Sequence, residues 1–254
     1  MQRKNARALI VLVVLILTLL VTASAGAVEV RSGETVIVPE GNVKGPLFIS
    51  GNNITINADV NGDIFAVGQL ITINGRVDGD IIAGANTLKV DGVVLGDIRA
   101  AAIFMEINGQ VEGSVTGAAQ TIELGKVTVG REVMLFGSEV DVSGTILGDA
   151  LGSANQYSIN GPVNGNVRIW DVGELVIGPS AVVGGNVTYR SANQARIDPA
   201  AQTGAVTRLT PQVKKTEQPQ EGIPWIGFLI FYIMGVVVWG AFYLLFPRLL
   251  PQPG

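Results

Sequence analysis

Residues 54–121 repeat one 17-residue sentence four times: ITINADVNGDIFAVGQL, ITINGRVDGDIIAGANT, LKVDGVVLGDIRAAAIF and MEINGQVEGSVTGAAQT. Each copy runs apolar-x-apolar-Asn/Asp, then a valine, then a glycine followed by Asp or Ser and a β-branched residue. A marker glycine carries the frame along the chain at Gly45, Gly62, Gly79, Gly96, Gly113, Gly130, Gly148, Gly165, Gly185 and Gly204, with five intervals of 17 followed by 18, 17, 20 and 19. A fixed period means that each repeat is one structural unit burying its apolar face on its neighbours. Helical arrays need about 33 to 47 residues per unit, so this period excludes paired helices.

Within a copy the apolar residues alternate. Ile71, Ile73, Val77 and Ile81 share one parity, while Thr72, Asn74, Arg76, Asp78 and Asp80 take the other. Alternation with β-branched residues signals strands with one buried face. Three short strands and their corners would use up one period, and coils of this kind stack with the ordinary strand spacing of about 4.8 Å. The expected fold is all-β, a parallel β-helix of about 17 residues per turn and roughly nine or ten turns. Ile54, Ile71, Leu88 and Met105 then form one interior ladder, and Ile56, Ile73, Val90 and Ile107 a second. Asn74-Gly75, Asp91-Gly92 and Asn108-Gly109 recur in register and predict sharp corners in the left-handed backbone region. Their stacked amides are expected to bond between turns.

With 48% apolar and 15% charged residues the chain can bury a core and is not disordered. A net charge of −4 leaves no basic footprint for nucleic acid. The chain has no cysteine and no histidine, which excludes disulfides, thiol nucleophiles, imidazole bases and Cys or His metal sites. No cofactor is expected.

Residues 1–27 carry Arg3, Lys4 and Arg7, an uncharged run over 8–21 and small residues up to Ala27, the pattern of a secretory signal peptide; an uncleaved anchor is the alternative. Residues 28–53 form a lead-in turn, 54–207 the β-helix, and 208–222 a polar linker with two prolines. Residues 223–246 hold no charge over 24 positions, with Trp225, Tyr232, Trp239 and Tyr243 interspersed. As a helix this run is about 36 Å long, enough to cross a ~30 Å hydrocarbon layer with tilt, and its aromatics suit the interfacial belts. A tail over 247–254 follows, with Arg248 expected on the cytoplasmic side and the β-helix outside.

One stretch is irregular. In IELGKVTVGREVMLFGSE, keeping Gly130 in frame would turn Lys126, Thr128 and Glu132 inward, so an extra residue before Val129 is expected, bringing Val133 and Leu135 inside.

The polar feature that stands out is the residue after the marker glycine: Asp63, Asp80 and Asp97, then Ser114, Arg131, Asp149, Asn166 and Asn186. Carboxylates stacked at about 5 Å repel by about 0.8 kcal/mol in water and about 3 kcal/mol at an effective dielectric of 20. Asp63, Asp80 and Asp97 are a candidate cation ladder, since hard cations take oxygen ligands. The favoured reading is a solvated corner whose carboxylates accept local backbone hydrogen bonds, with no metal expected.

The runs V-N-G-D-I (60–64), V-D-G-D-I (77–81) and V-L-G-D-I (94–98), each preceded by I-T-I-N-A or a variant, resemble the bactofilin family of polymer-forming bacterial cytoskeletal proteins over about residues 45–207. The resemblance implies a right-handed β-helix that associates end to end without nucleotide. With its leader and hydrophobic C-terminal run, the chain looks like the membrane-anchored members. The expected function is therefore a non-enzymatic, self-associating scaffold of the bacterial cell membrane, with other copies of itself and the lipid bilayer as partners. A polysaccharide-binding or polysaccharide-processing β-helix and an accessory subunit of a membrane complex are the competing readings.

Overall fold

The computed structural model describes residues 28–211. Eleven strands follow one another in a single parallel sheet, from Glu29–Val38 at one edge to Val206–Leu209 at the other. The chain is thus a parallel β-solenoid of about eleven turns. The repeat-based count of nine or ten falls short because the first and last strands lack the full motif yet still pair: Val36 sits on Ile54, and Val206 on Val187.

Each regular turn holds one ten-residue strand, such as Ile64–Ile73 or Ile81–Val90, and a short strand such as Val93–Val94. Two of the three strands expected per turn are therefore one bent strand. Its burial reveals the bend. Ile64 and Ala66 point inward, then Ile71 and Ile73 do, so the inward parity switches around Gly68. A side chain at Gly68 would press on the Gly51 carbonyl oxygen at 2.5 Å, which keeps the bend free of a Cβ there. The short strands form a second parallel stack, from Val93–Val94 to Val182–Val183.

Register puts like on like. Ile54, Ile71, Leu88, Met105 and Ile122 are successive partners, as are Ile56, Ile73, Val90, Ile107 and Leu124. All are buried, as is the short-strand column Val60, Val77, Val94 and Val111. Burying each such side chain is worth about 1.5–3 kcal/mol, so every turn contributes its own layer of core. Large and small residues alternate where space demands it: Leu135 lies between Gly117 and Gly152 in its column.

The irregular stretch contains one extra residue. Leu124 pairs with Ile107, 17 positions earlier, but Val129 pairs with Val111 and Val133 with Val115, each 18 earlier. The insertion therefore lies between Leu124 and Thr128. Lys126, Thr128 and Glu132 stay exposed, while Val127, Val129, Val133 and Leu135 are buried. One consequence corrects the glycine frame. Arg131, not Gly130, stacks on Gly113, its N–H donating to the Gly113 carbonyl at 3.2 Å. A second irregularity follows Gly152, where register shifts by one and Trp170 becomes the extra residue. Its ring stacks on Phe136 with centroids 5.8 Å apart.

The corners differ from expectation. Among the described residues no non-glycine has positive φ, and the positive-φ glycines are Gly41, Gly45, Gly62 and Gly152. Asn74-Gly75, Asp91-Gly92 and Asn108-Gly109 are thus not left-handed corners. Glycine is needed there for contact: a Cβ at Gly75, Gly92 or Gly109 would overlap the backbone carbonyl oxygen of the turn beneath.

The carboxylate ladder and the open ends as candidate functional sites

The G-D-I turn brings each aspartate to the same corner of successive coils. There its Oδ1 accepts the backbone N–H of the equivalent residue one turn on. Asp63 accepts from Asp80 at 2.9 Å, Asp80 from Asp97 at 2.8 Å, and Asp97 from Ser114 at 2.8 Å. Asp149 repeats the bond to Asn166 at 2.7 Å, and Asn166 and Asn186 do so with amide oxygens, at 3.1 Å to Asn186 and Ala205. The marker glycine is part of this device, since a Cβ at Gly79 would sit 2.6 Å from Asp63 Oδ1. The position after Ser114 is held by Glu132 rather than Arg131, as the shifted frame requires.

Electrostatics follow from this geometry. Arg99 lies across the ladder, with Nη1 2.7 Å from Asp80 Oδ2 and Nη2 2.6 Å from Asp97 Oδ2. The Asp97 N–H, and after it the Arg99 guanidinium, hold the Asp80 carboxyl below its ordinary value. The same carboxylate raises the affinity of Arg99 for its proton. The stacking repulsion is thus offset by one backbone donor per carboxylate and by one shared cation. The ladder fastens coil to coil. Among the described residues no group of three acidic side chains is placed to hold a metal ion.

The Asn/Asp corner ladder is built from pairs. Asn74 Nδ2 donates to Asn57 Oδ1 at 2.7 Å, and Asn108 Nδ2 donates to Asp91 Oδ1 at 3.0 Å. Asn108 also reaches Glu106 at 2.6 Å, and Lys89 lies 3.5 Å from the same carboxylate. Trp225, Tyr232, Trp239, Tyr243 and Arg248, the leader and the run over 223–246 lie outside the described residues.

Sequence reading placed a lead-in turn over 28–53 but missed the residues that close the two ends. Glu29 and Arg31 occupy the inward columns headed by Leu47 and Ile49, and they pair with each other at 2.6 Å. At the other end Val206 and Arg208 stack on Val187 and Tyr189. Charge at the parity of the apolar columns is the signal that could have found them. Beyond these caps the strands Glu29–Val38 and Val206–Leu209 each pair on one side only among the described residues.

The bactofilin family model, described as polymer-forming cytoskeletal, matches residues 35–133. No curated protein and no solved structure matches the chain. The coil continues past the matched segment to Val206–Leu209. The stacked V-x-G-D-I turns lie within this match, so residues 35–133 are similar to a bactofilin domain.

Proposed function

We propose that the chain is a non-enzymatic scaffold of the bacterial cell envelope, a self-associating β-solenoid held to the membrane by residues 223–246. The observation that carries the reading is the pair of open strand edges closing a polymer-forming family's fold. An edge strand offers unpaired N–H and C=O groups to another chain. The coil is taken as right-handed, the sense of about 98% of strand–crossover–parallel strand connections. The ladder carboxylates are engaged by backbone donors, which favours structure over catalysis. Anchoring is supported by the uncharged run over 223–246 alone.

Electron microscopy and sedimentation of the full chain in mild detergent test self-association. Rods or filaments that lengthen with concentration are expected; dispersed monomers at every concentration and salt would overturn it. Alkaline extraction of cell membranes tests anchoring, with retention expected for the full chain and release after deletion of 223–246.

A further inference from the structure

We propose that the flank of the solenoid at Phe136 and Trp170 is a binding site for a polysaccharide of uncharged pyranose units. The site adds a ligand to the scaffold reading and does not rest on self-association, because it lies between the end strands and on neither of them.

The extra residue of the coil is the first observation. The strand Val167–Ile177 runs eleven residues where its neighbours Val133–Val142 and Ala150–Ile159 run ten, and the surplus residue is Trp170. A bulge re-aims the side chain it carries. Here it sends the indole across the intervening coil, where the column holds only Ser153, onto Phe136. The two rings lie 19° from parallel with centroids 5.8 Å apart, an offset stack, and each remains 37% exposed. Neither ring belongs to the core, so packing inside the coil does not account for them.

The second observation is what surrounds the rings. Phe136 lines an open groove of about 520 Å³ together with Ser153, Asn155 and Asp171, over a floor of the buried Ala154 and Val172. Asn155 and Asp171 are exposed, and Arg190 approaches the Asp171 carboxylate only to 3.8 Å. That carboxylate therefore keeps acceptor capacity for a ligand hydroxyl, and a hydroxyl-to-carboxylate bond is of the stronger kind.

Together these groups match one chemistry. The C–H face of a pyranose ring is apolar and weakly positive, which suits the negative face of an aromatic ring. Its hydroxyls donate to the carboxylate and exchange hydrogen bonds with amide and serine. An apolar wall with a few convergent polar groups is the usual makeup of a ligand site. Nucleic acid also stacks on aromatics, but it needs a cationic groove for its phosphates; this groove presents Asp171, on a chain of net charge −4. Because the groove is open along the flank, the interior of a sugar chain can enter it as well as an end.

The full chain carries three tryptophans, so Trp225→Phe and Trp239→Phe together leave Trp170 as the sole indole reporter. In a detergent without sugar headgroups, this variant is titrated with cellohexaose and with chitohexaose. A saturable change in Trp170 emission with at least one of the two is expected. Calorimetric titration of the chain with its three tryptophans should show binding weakened several-fold by Asp171→Ala and abolished by Phe136→Ala or Trp170→Ala, with circular dichroism unchanged. Asp171→Ala, at a side chain 72% exposed, keeps the test open if an aromatic variant unfolds. No saturable response to either hexamer at millimolar concentration would overturn the proposal. So would unaltered affinity in Trp170→Ala, or a response to oligodeoxythymidine in place of the sugars, which would assign the groove to nucleic acid. Emission that shifts with protein concentration and not with sugar would overturn it too, assigning the flank to a second copy. Failure of the chain to polymerise in sedimentation defeats the scaffold reading alone and leaves these titrations readable.

Discussion

At the scale of single residues, the interior holds one group that opposes its own burial. Tyr157 is fully buried and its hydroxyl has no partner among the described residues, so burial drives its proton affinity far up. Tyr157→Phe keeps the shape and removes the orphan oxygen, and should stabilise the fold by about 1 kcal/mol in urea unfolding. The sign of the pH effect follows. With the folded value raised, stability is complete below the ordinary tyrosine value near 10 and falls as pH rises above it, because only the unfolded chain ionises; the phenylalanine variant should lose that alkaline limb. Asp80 shows the opposite case. Its depressed value places its contribution above the ordinary carboxylate range and removes it as pH falls through the folded value. Asp80→Asn keeps an acceptor for the Asp97 N–H and should cost less than about 1 kcal/mol, whereas Asp80→Ala strands that N–H and should cost about 1–2 kcal/mol. Equal losses for the two would mean that Arg99, and not the backbone bond, carries the effect.

At the scale of the coil, contact between neighbouring turns decides which residues are tolerated. Gly92 lies where a Cβ would overlap the Gly75 carbonyl oxygen, so Gly92→Ala should destabilise by about 1–3 kcal/mol. Gly84 has open space around its missing Cβ and no positive φ, so Gly84→Ala should stabilise by about 0.4–1 kcal/mol. Thermal melts of the pair measure both, and a similar effect from each would contradict the stacking account. Met105→Ala, in the middle of an interior ladder, should cost about 2–5 kcal/mol.

At the scale of the whole solenoid, each turn touches only its neighbours, so stability is nearly a sum of turn and interface contributions. Deleting residues 81–97 removes one complete period and restores Ile64 to a partner at Ile98. That variant should fold and melt cooperatively at a lower temperature. Deleting residues 81–96 leaves the frame one residue out, turns the inward side chains of the following strand outward, and should yield aggregate. Circular dichroism and size-exclusion chromatography separate the outcomes.

Period, strand character and the identity of the aliphatic ladders are legible in the one-dimensional pattern, because parallel stacking in register turns a spacing of 17 directly into contact. The insertion after Leu124 was legible too, since any other frame buries charge. What only the tertiary structure decided is how neighbouring turns meet: that corner glycines serve close approach and not left-handed φ, and that the ladder aspartates grip the next turn's backbone. It also decided that Arg99 bridges two of those aspartates, and that Glu29 and Arg31 close the first turn. These depend on distances of a few ångströms between atoms a full turn or more apart along the chain or at its ends, where a repeat has no neighbour to copy.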